Sequence, residues 1–202
     1  MPVTTIISDI AGVLLLKRPA WEAVRRQWEQ HARLKEGAIM RALFTTELDE
    51  AAIFGRVSQE ALVQQASAQV GIDLTVFVEE MWRHLHLHHE LATFLHSLRP
   101  RYKVALLSNA WSGARSDFNC LFHLDRFVDL QIFSAEEGLA KPDERIYRLA
   151  LTRLGVAPEE TLFLDDRLEN ILAAQRLGIQ VLHFDGNRSG ISEIQRFLKP
   201  LS

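Results

Sequence analysis

The residues able to do chemistry fall in four short segments: Asp9 with the following Ile10-Ala11-Gly12, Ser108-Asn109, Lys141-Pro142-Asp143, and Asp165-Asp166. Three of them end an apolar run: Thr5-Ile6-Ile7 before Asp9, Val104-Ala105-Leu106-Leu107 before Ser108, and Leu162-Phe163-Leu164 before Asp165. In a parallel α/β sheet the carboxyl ends of the strands share one crevice, so segments far apart in sequence meet there. Paired carboxylates hold Mg²⁺, lysine and hydroxyl groups hold phosphate oxygens, and a carboxylate can form an acyl-phosphate. Together these types make a phosphoryl-transfer site.

Each position also has a plainer reading. Asp9 can cap a turn, and Gly12 can serve a turn that needs positive φ while the amides around it face an anion. Ser108 can give a phosphoryl oxygen its hydroxyl, with the Asn109 amide as a second donor, or it can cap a helix starting at Ala110. Adjacent like charges at the end of a buried strand are costly without a cation or lysine, and Mg²⁺ meets that need at Asp165-Asp166. Asn170, one turn further on, can steady the acidic pair or simply face solvent.

The order Asp, Ser, Lys, Asp-Asp resembles the haloacid dehalogenase (HAD) superfamily of hydrolases. The similarity covers nearly the whole chain and is densest over Ser134 to Tyr147 and Leu162 to Ile171. Those stretches are similar to the branch of sugar-phosphate phosphatases and the phosphatase domains of epoxide hydrolases. The resemblance implies Asp9 as nucleophile and Lys141 as the catalytic cation, with Ser108, Asn109, Lys141 and Gly12 binding phosphate. It implies Mg²⁺ held by Asp9, the Ala11 carbonyl and Asp166, with Asp165 as a further ligand or just behind it. Most phosphatases of the superfamily have an acid–base Asp where this chain has Ala11. That general acid is worth about 10²–10⁴-fold in rate, although the branch includes working enzymes without it. The lead expectation is a Mg²⁺-dependent phosphatase for a small phosphorylated metabolite, a sugar phosphate being one option. The alternatives are a catalytically weak phospho-ligand or partner-binding protein and a carbon–halogen hydrolase.

Positioning such a site calls for a doubly wound, Rossmann-like parallel sheet. Strands are expected over 4–10, 104–108, 130–134, 161–165 and 180–184. Helices are expected over 113–121, 143–154, 168–177 and 190–198, with a stripe Leu91, Phe94, Leu95, Leu98 closed by Pro100. Between the first strand and the next βα unit, 19–86 shows no convincing strand. Pro19 suits a first helical turn, and Trp21, Val24, Trp28 and Ala32 recur at near-helical spacing. Ser58 caps a helix ending at Gly71, and Asp73 caps one with Val76, Phe77 and Met81 inward. The division expected is a core of 1–17 and 88–202 and, as the resemblance implies, a helical cap of 18–87.

A chain of 202 residues, 48% hydrophobic and with net charge −3, can bury a full core and gives no electrostatic reason to bind nucleic acid or an anionic membrane. No apolar run approaches the ~18 residues of a membrane span, and no secretory leader is legible, so a cytoplasmic location is expected. The single cysteine, Cys120, reads as a core thiol. His84, His86, His88 and His89 read as a solvated hinge rather than a metal cluster, although His84 and His88 have i, i+4 spacing. Trp21, Trp28, Phe44, Phe54 and Trp82 read mostly as cap core, and Arg18 and Arg56 as candidate substrate contacts.

Overall fold

The computed structural model describes residues 2–18, 20–184 and 190–198; Pro19 lies outside them. Strands β1 (Thr5–Ser8), β4 (Lys103–Ser108), β5 (Leu130–Phe133), β6 (Thr161–Asp165) and β7 (Gln180–His183) form one parallel sheet of order β5-β4-β1-β6-β7. These strands are apolar on both faces because both faces are covered. Ile6, Val104, Leu106, Leu162 and Leu164 pack with α6 (His89–Leu98), α7 (Ala114–Phe122) and α11 (Gly190–Phe197). Their neighbours Ile7, Ala105, Leu107 and Phe163 pack with α9 (Glu144–Leu154) and α10 (Leu168–Arg176). The chain winds from β1 to β4 and β5 on one side, then to β6 and β7 on the other. The winding therefore reverses beside β1, the place where such folds bind ligands.

Between the β-strands lies a helical block: α1 (Trp21–His31), α2 (Ala38–Phe44), α3 (Glu47–Ile53), α4 (Gln59–Val70) and α5 (Thr75–Arg83), with its own apolar cluster. Local chemistry sets the helix ends. Ser58 Oγ accepts from Ala61 N at 3.2 Å, and Gly71 closes α4 in the left-handed region. Asp143 likewise caps α9, its Oδ1 accepting from Arg145 N at 2.9 Å. A short α8 (Ser134–Glu137), α2 and α3 were not read from the sequence, each being under two turns.

Five expectations need correction. The segment 19–86 does hold strand residues: β3 (Leu85–Leu87) pairs antiparallel with β2 (Leu15–Lys17). This ribbon removes the helical spacing that His84 and His88 would need to chelate. His84, His86 and His88 are half-buried rather than solvated, and His88 Nδ1 accepts from Leu91 N at 3.3 Å at the start of α6. Cys120 is exposed, because α7 turns Ala114 and Phe118 to the core and Cys120 falls off that face. Val76 faces outward at 52% exposed, since α5 buries Phe77, Val78 and Met81. Phe54 stays outside the block's cluster and packs under the Arg56 guanidinium instead, 5.0 Å from the ring centre.

Candidate active site

Asp9, Ser108 and Asp165 stand at the carboxyl ends of three adjacent strands, β1, β4 and β6, as parallel registration of those strands requires. Asp9 N donates to Leu164 O at 2.8 Å, which locks the residue to the strand that carries Asp165. The Lys141 ammonium bridges the two carboxylates, 2.9 Å from Asp9 Oδ1 and 2.7 Å from Asp165 Oδ2. All three are buried. The Asp9 carboxyl is pushed up to about 6, chiefly by burial and then by the Asp165 charge, against the pull of Lys141. Burial, followed by the same Asp165 charge, also raises Asp166.

The partners separate the roles of the acidic pair. Asp165 Oδ1 accepts from Arg167 N at 2.8 Å and from Asn170 Nδ2 at 3.0 Å, and Oδ2 takes Lys141 and Asn170. Asp166 is exposed to the cleft, and a Cβ at Gly12, whose φ is +86°, would collide with its carboxylate. Only glycine lets the loop and Asp166 approach this closely. Oxygens of Asp9, Asp165 and Asp166 all lie within 4.8 Å of one another. One lysine against three carboxylates leaves net negative charge, and hard oxygen donors suit Mg²⁺, which prefers one or two carboxylates plus water and phosphate.

One assigned phosphate donor, the Gly12 amide, is engaged elsewhere. Gly12 N donates to Leu15 O at 2.9 Å, and the amides of Val13, Leu14 and Leu15 all turn back to Ile10 O. The loop is held by its own hydrogen bonds, so the Gly12 amide does not face an anion. The Asn109 side chain is spent at both ends on the Lys141 backbone: Nδ2 donates to Lys141 O at 2.7 Å, and Oδ1 accepts from Lys141 N at 2.8 Å. Ser108 is not a helix cap, because α7 starts only at Ala114. It remains buried at the strand end.

A cleft of about 500 Å³ opens above these groups, lined by Asp9, Ala11, Asn109, Lys141, Asp166 and Asn170, with Leu16, Lys17 and Leu85 on the ribbon side. Arg18 and Arg56 are not among its lining residues; the further cations there are Lys17 and Arg167. Sequence reasoning missed both: Arg167 stood in the Asp165-Asp166 stretch without being assigned a role, and the β2–β3 pairing that brings Lys17 to the cleft was not legible. A larger groove of about 940 Å³ runs along α4, α5 and α7, but it contains neither the lysine nor the clustered carboxylates. Chemistry rather than size picks the smaller cleft.

Comparison with known proteins gives the family and the fold. A family model described as haloacid dehalogenase-like hydrolase matches residues 3–178. A phosphoserine phosphatase from Thermus thermophilus is 31% identical over 133 residues, covering 64% of this chain and 53% of that protein. Across the curated relatives it matches, the chain spans between 6% and 59% of their length. A predicted HAD-like hydrolase from Porphyromonas gingivalis superposes with a TM-score of 0.80 at 27% identity, over all of both chains. A mutant HAD family enzyme from Bacteroides thetaiotaomicron, in complex with magnesium and inorganic phosphate, shares the fold with a TM-score of 0.78 at 20% identity, covering 94% of this chain and 98% of its own. With its motifs at the sheet edge and a matching model over most of its length, this chain belongs to the haloacid dehalogenase-like hydrolase family.

Proposed function

We propose that the chain is a Mg²⁺-dependent phosphatase of small phosphorylated metabolites that works through an aspartyl-phosphate on Asp9. The observation that carries this reading is the Lys141 ammonium held between Asp9 and Asp165, with Asp166 in the same cluster. Asp9 Oδ1 is occupied by Lys141 and by Ile10 N, the latter at 2.7 Å. That leaves Oδ2 to attack phosphorus. The new bond joins Oδ2 to phosphorus as the ester oxygen departs; water then attacks the same phosphorus and releases Asp9. Lys141 offsets charge on Asp9 and on the phosphoryl oxygens through both steps, and Ser108 offers its hydroxyl to one of those oxygens. Asp9, Asp166 and the Ala11 carbonyl would hold Mg²⁺, which neutralises phosphoryl charge, while Asp165 and Asn170 fix the lysine and the loop behind them.

The helical block, 18–87, serves as a cap over a core of 1–17 and 88–202, and the β2–β3 ribbon at their junction supplies one wall of the cleft. A test is a panel of phosphate monoesters assayed with and without Mg²⁺. Hydrolysis that requires Mg²⁺ and disappears in Asp9→Asn supports the reading, and hydrolysis by Asp9→Asn refutes it. Ala11 favours one second reading, a phospho-ligand binder with little turnover. That protein would bind inorganic phosphate in the presence of Mg²⁺ yet leave the whole panel intact.

A further inference from the structure

Trp111 lies on the loop that leaves β4, two residues beyond Asn109, yet its side chain is buried in the apolar cluster of the helical block. The indole N–H donates to Asp49 Oδ1 of α3 at 2.8 Å, Phe44 of α2 stacks on the ring at 4.9 Å, and Trp82 of α5 meets it edge-on at 6.0 Å. Next along the chain, Ser112 Oγ accepts from Gln59 N at 3.0 Å, satisfying an otherwise unpaired donor at the start of α4. The near end of the loop is held just as firmly by the core. Ala110 N donates to Ser134 Oγ at 3.0 Å, and the Asn109 amide clamps both backbone groups of Lys141. One short loop is therefore gripped by the block at residues 111–112 and grips the catalytic lysine at residue 109.

We propose that Trp111 is a positioning residue that ties the helical block to the active site, with Asp49 as its anchor and Asn109 as the arm that sets Lys141. Losing the indole N–H leaves the buried Asp49 carboxylate without its donor, an arrangement that drives the partners apart. The loop shifts with them, and the Asn109 clamp on Lys141 loosens. The ammonium then spends less time between Asp9 and the phosphoryl group. Turnover falls while substrate affinity, set largely by the rest of the cleft, changes little. The kinetic part of this inference rests on the phosphatase reading; the structural part does not.

Trp111→Phe keeps a ring on Phe44 but removes the donor together with part of the buried indole, so it is read beside the cavity control Leu62→Ala. Its readout is hydrogen exchange at Lys141 N, which is bonded to Asn109 Oδ1, relative to Ile7 N in β1. Opening of the clamp should speed Lys141 by about tenfold relative to Ile7. With an active ester, kcat should fall by a similar factor while KM stays within about twofold. Asp49→Asn retains an oxygen for the indole N–H and should keep both readouts near wild type. Leu62→Ala, a cavity in the same block, should lower the melting temperature without changing the exchange ratio. Should Trp111→Phe fail to fold, Asp49→Leu breaks the same hydrogen bond from the other side and should give the same two effects. A lower melting temperature with an unchanged exchange ratio would make Trp111 a packing residue only and overturn the proposal. If no ester is hydrolysed by the wild type, the phosphatase reading falls, and the exchange ratio still decides the role of Trp111.

Discussion

Two buried ion pairs in this molecule differ in how completely their carboxylates are satisfied, and that difference separates a structural pair from the proposed catalytic one. In the helical block, Arg25 Nη1 meets Glu29 Oε2 at 2.7 Å, and Gly37 N and Ile39 N complete the Glu29 carboxylate at 3.0 and 3.2 Å. Both oxygens of this almost fully buried glutamate are used, and its cation also meets the solvent-facing Glu22 carboxylate at 2.8 Å. At the sheet edge a single buried lysine faces two buried carboxylates with Asp166 beside them, and Asp9 keeps an oxygen for which the described residues provide no donor. The carboxylate of the first pair has a partner on each oxygen. The second pair is short of positive charge, which a metal ion would supply, and its spare oxygen stays open to bond phosphorus.

The largest effect should come from removing the spare oxygen's owner. Asp9→Asn should lower turnover by at least about 10³-fold, as loss of a nucleophile does elsewhere. Retained turnover would show that the unsatisfied oxygen is not the attacking one. Next, the two cations can be set against each other. Lys141→Met and Arg25→Met each leave a buried carboxylate without its partner, a loss that typically costs about 3–5 kcal/mol. Only Lys141→Met should also abolish hydrolysis in an assay at a temperature where both variants are folded. Equal kinetic losses would mean that the contrast between the two pairs is only one of stability.

The charge deficit makes a third prediction. Mg²⁺ should raise the melting temperature, because an ion bound only to the folded state stabilises it, and Asp166→Ala should remove that shift. The pH dependence follows from Asp9, whose folded value of about 6 lies above its ordinary 3.8. A raised carboxyl binds protons more readily folded than unfolded. In metal-free protein this group therefore costs stability above pH 6, a cost relieved as pH falls through 6 toward 3.8. Protons then compete with Mg²⁺, so the Mg²⁺-induced shift should shrink over that window; a shift growing as pH falls below 6 would place the ion away from Asp9.

The smallest effect concerns Ala11. Without a general acid, aryl phosphates and sugar-1-phosphates should be cleaved faster than glycerol phosphate, because a poor leaving group needs a proton. Ala11→Asp should flatten that dependence modestly, since a carboxyl without supporting partners is poorly aimed. A wild-type rate blind to leaving-group pKa would mean that another group donates the proton or that chemistry does not limit turnover.

The sheet and its edge were legible in the sequence because buried parallel strands are continuous apolar runs, and their polar endings are conspicuous. Asp9, Ser108 and Asp165 needed nothing more than that pattern, and the parallel sheet with its flanking helices followed from it. Lys141 was legible only through the motif around it, since a lone lysine before proline has no signature of its own. Asn109 was read for the backbone amide that follows Ser108; only tertiary structure shows its side chain holding the Lys141 backbone. Gly12 was read as part of a loop whose amides face an anion, but its own amide is taken by Leu15 O across a tight loop. The β2–β3 ribbon is two three-residue strands far apart in sequence, too short for any periodicity to register. With the ribbon went Lys17, and with the block's packing went Trp111, whose partners lie from 29 to 67 positions away in the chain.

The most direct test of the central claim is the structure of the Mg²⁺ complex with beryllofluoride, which mimics a phosphoryl group bonded to a carboxylate. The account predicts beryllium bonded to Asp9, Lys141 and Ser108 on the fluorines, and the ion between Asp9 and Asp166. Beryllium bonded to another carboxylate, or a complex lodged in the cleft without a bond to Asp9, would contradict it.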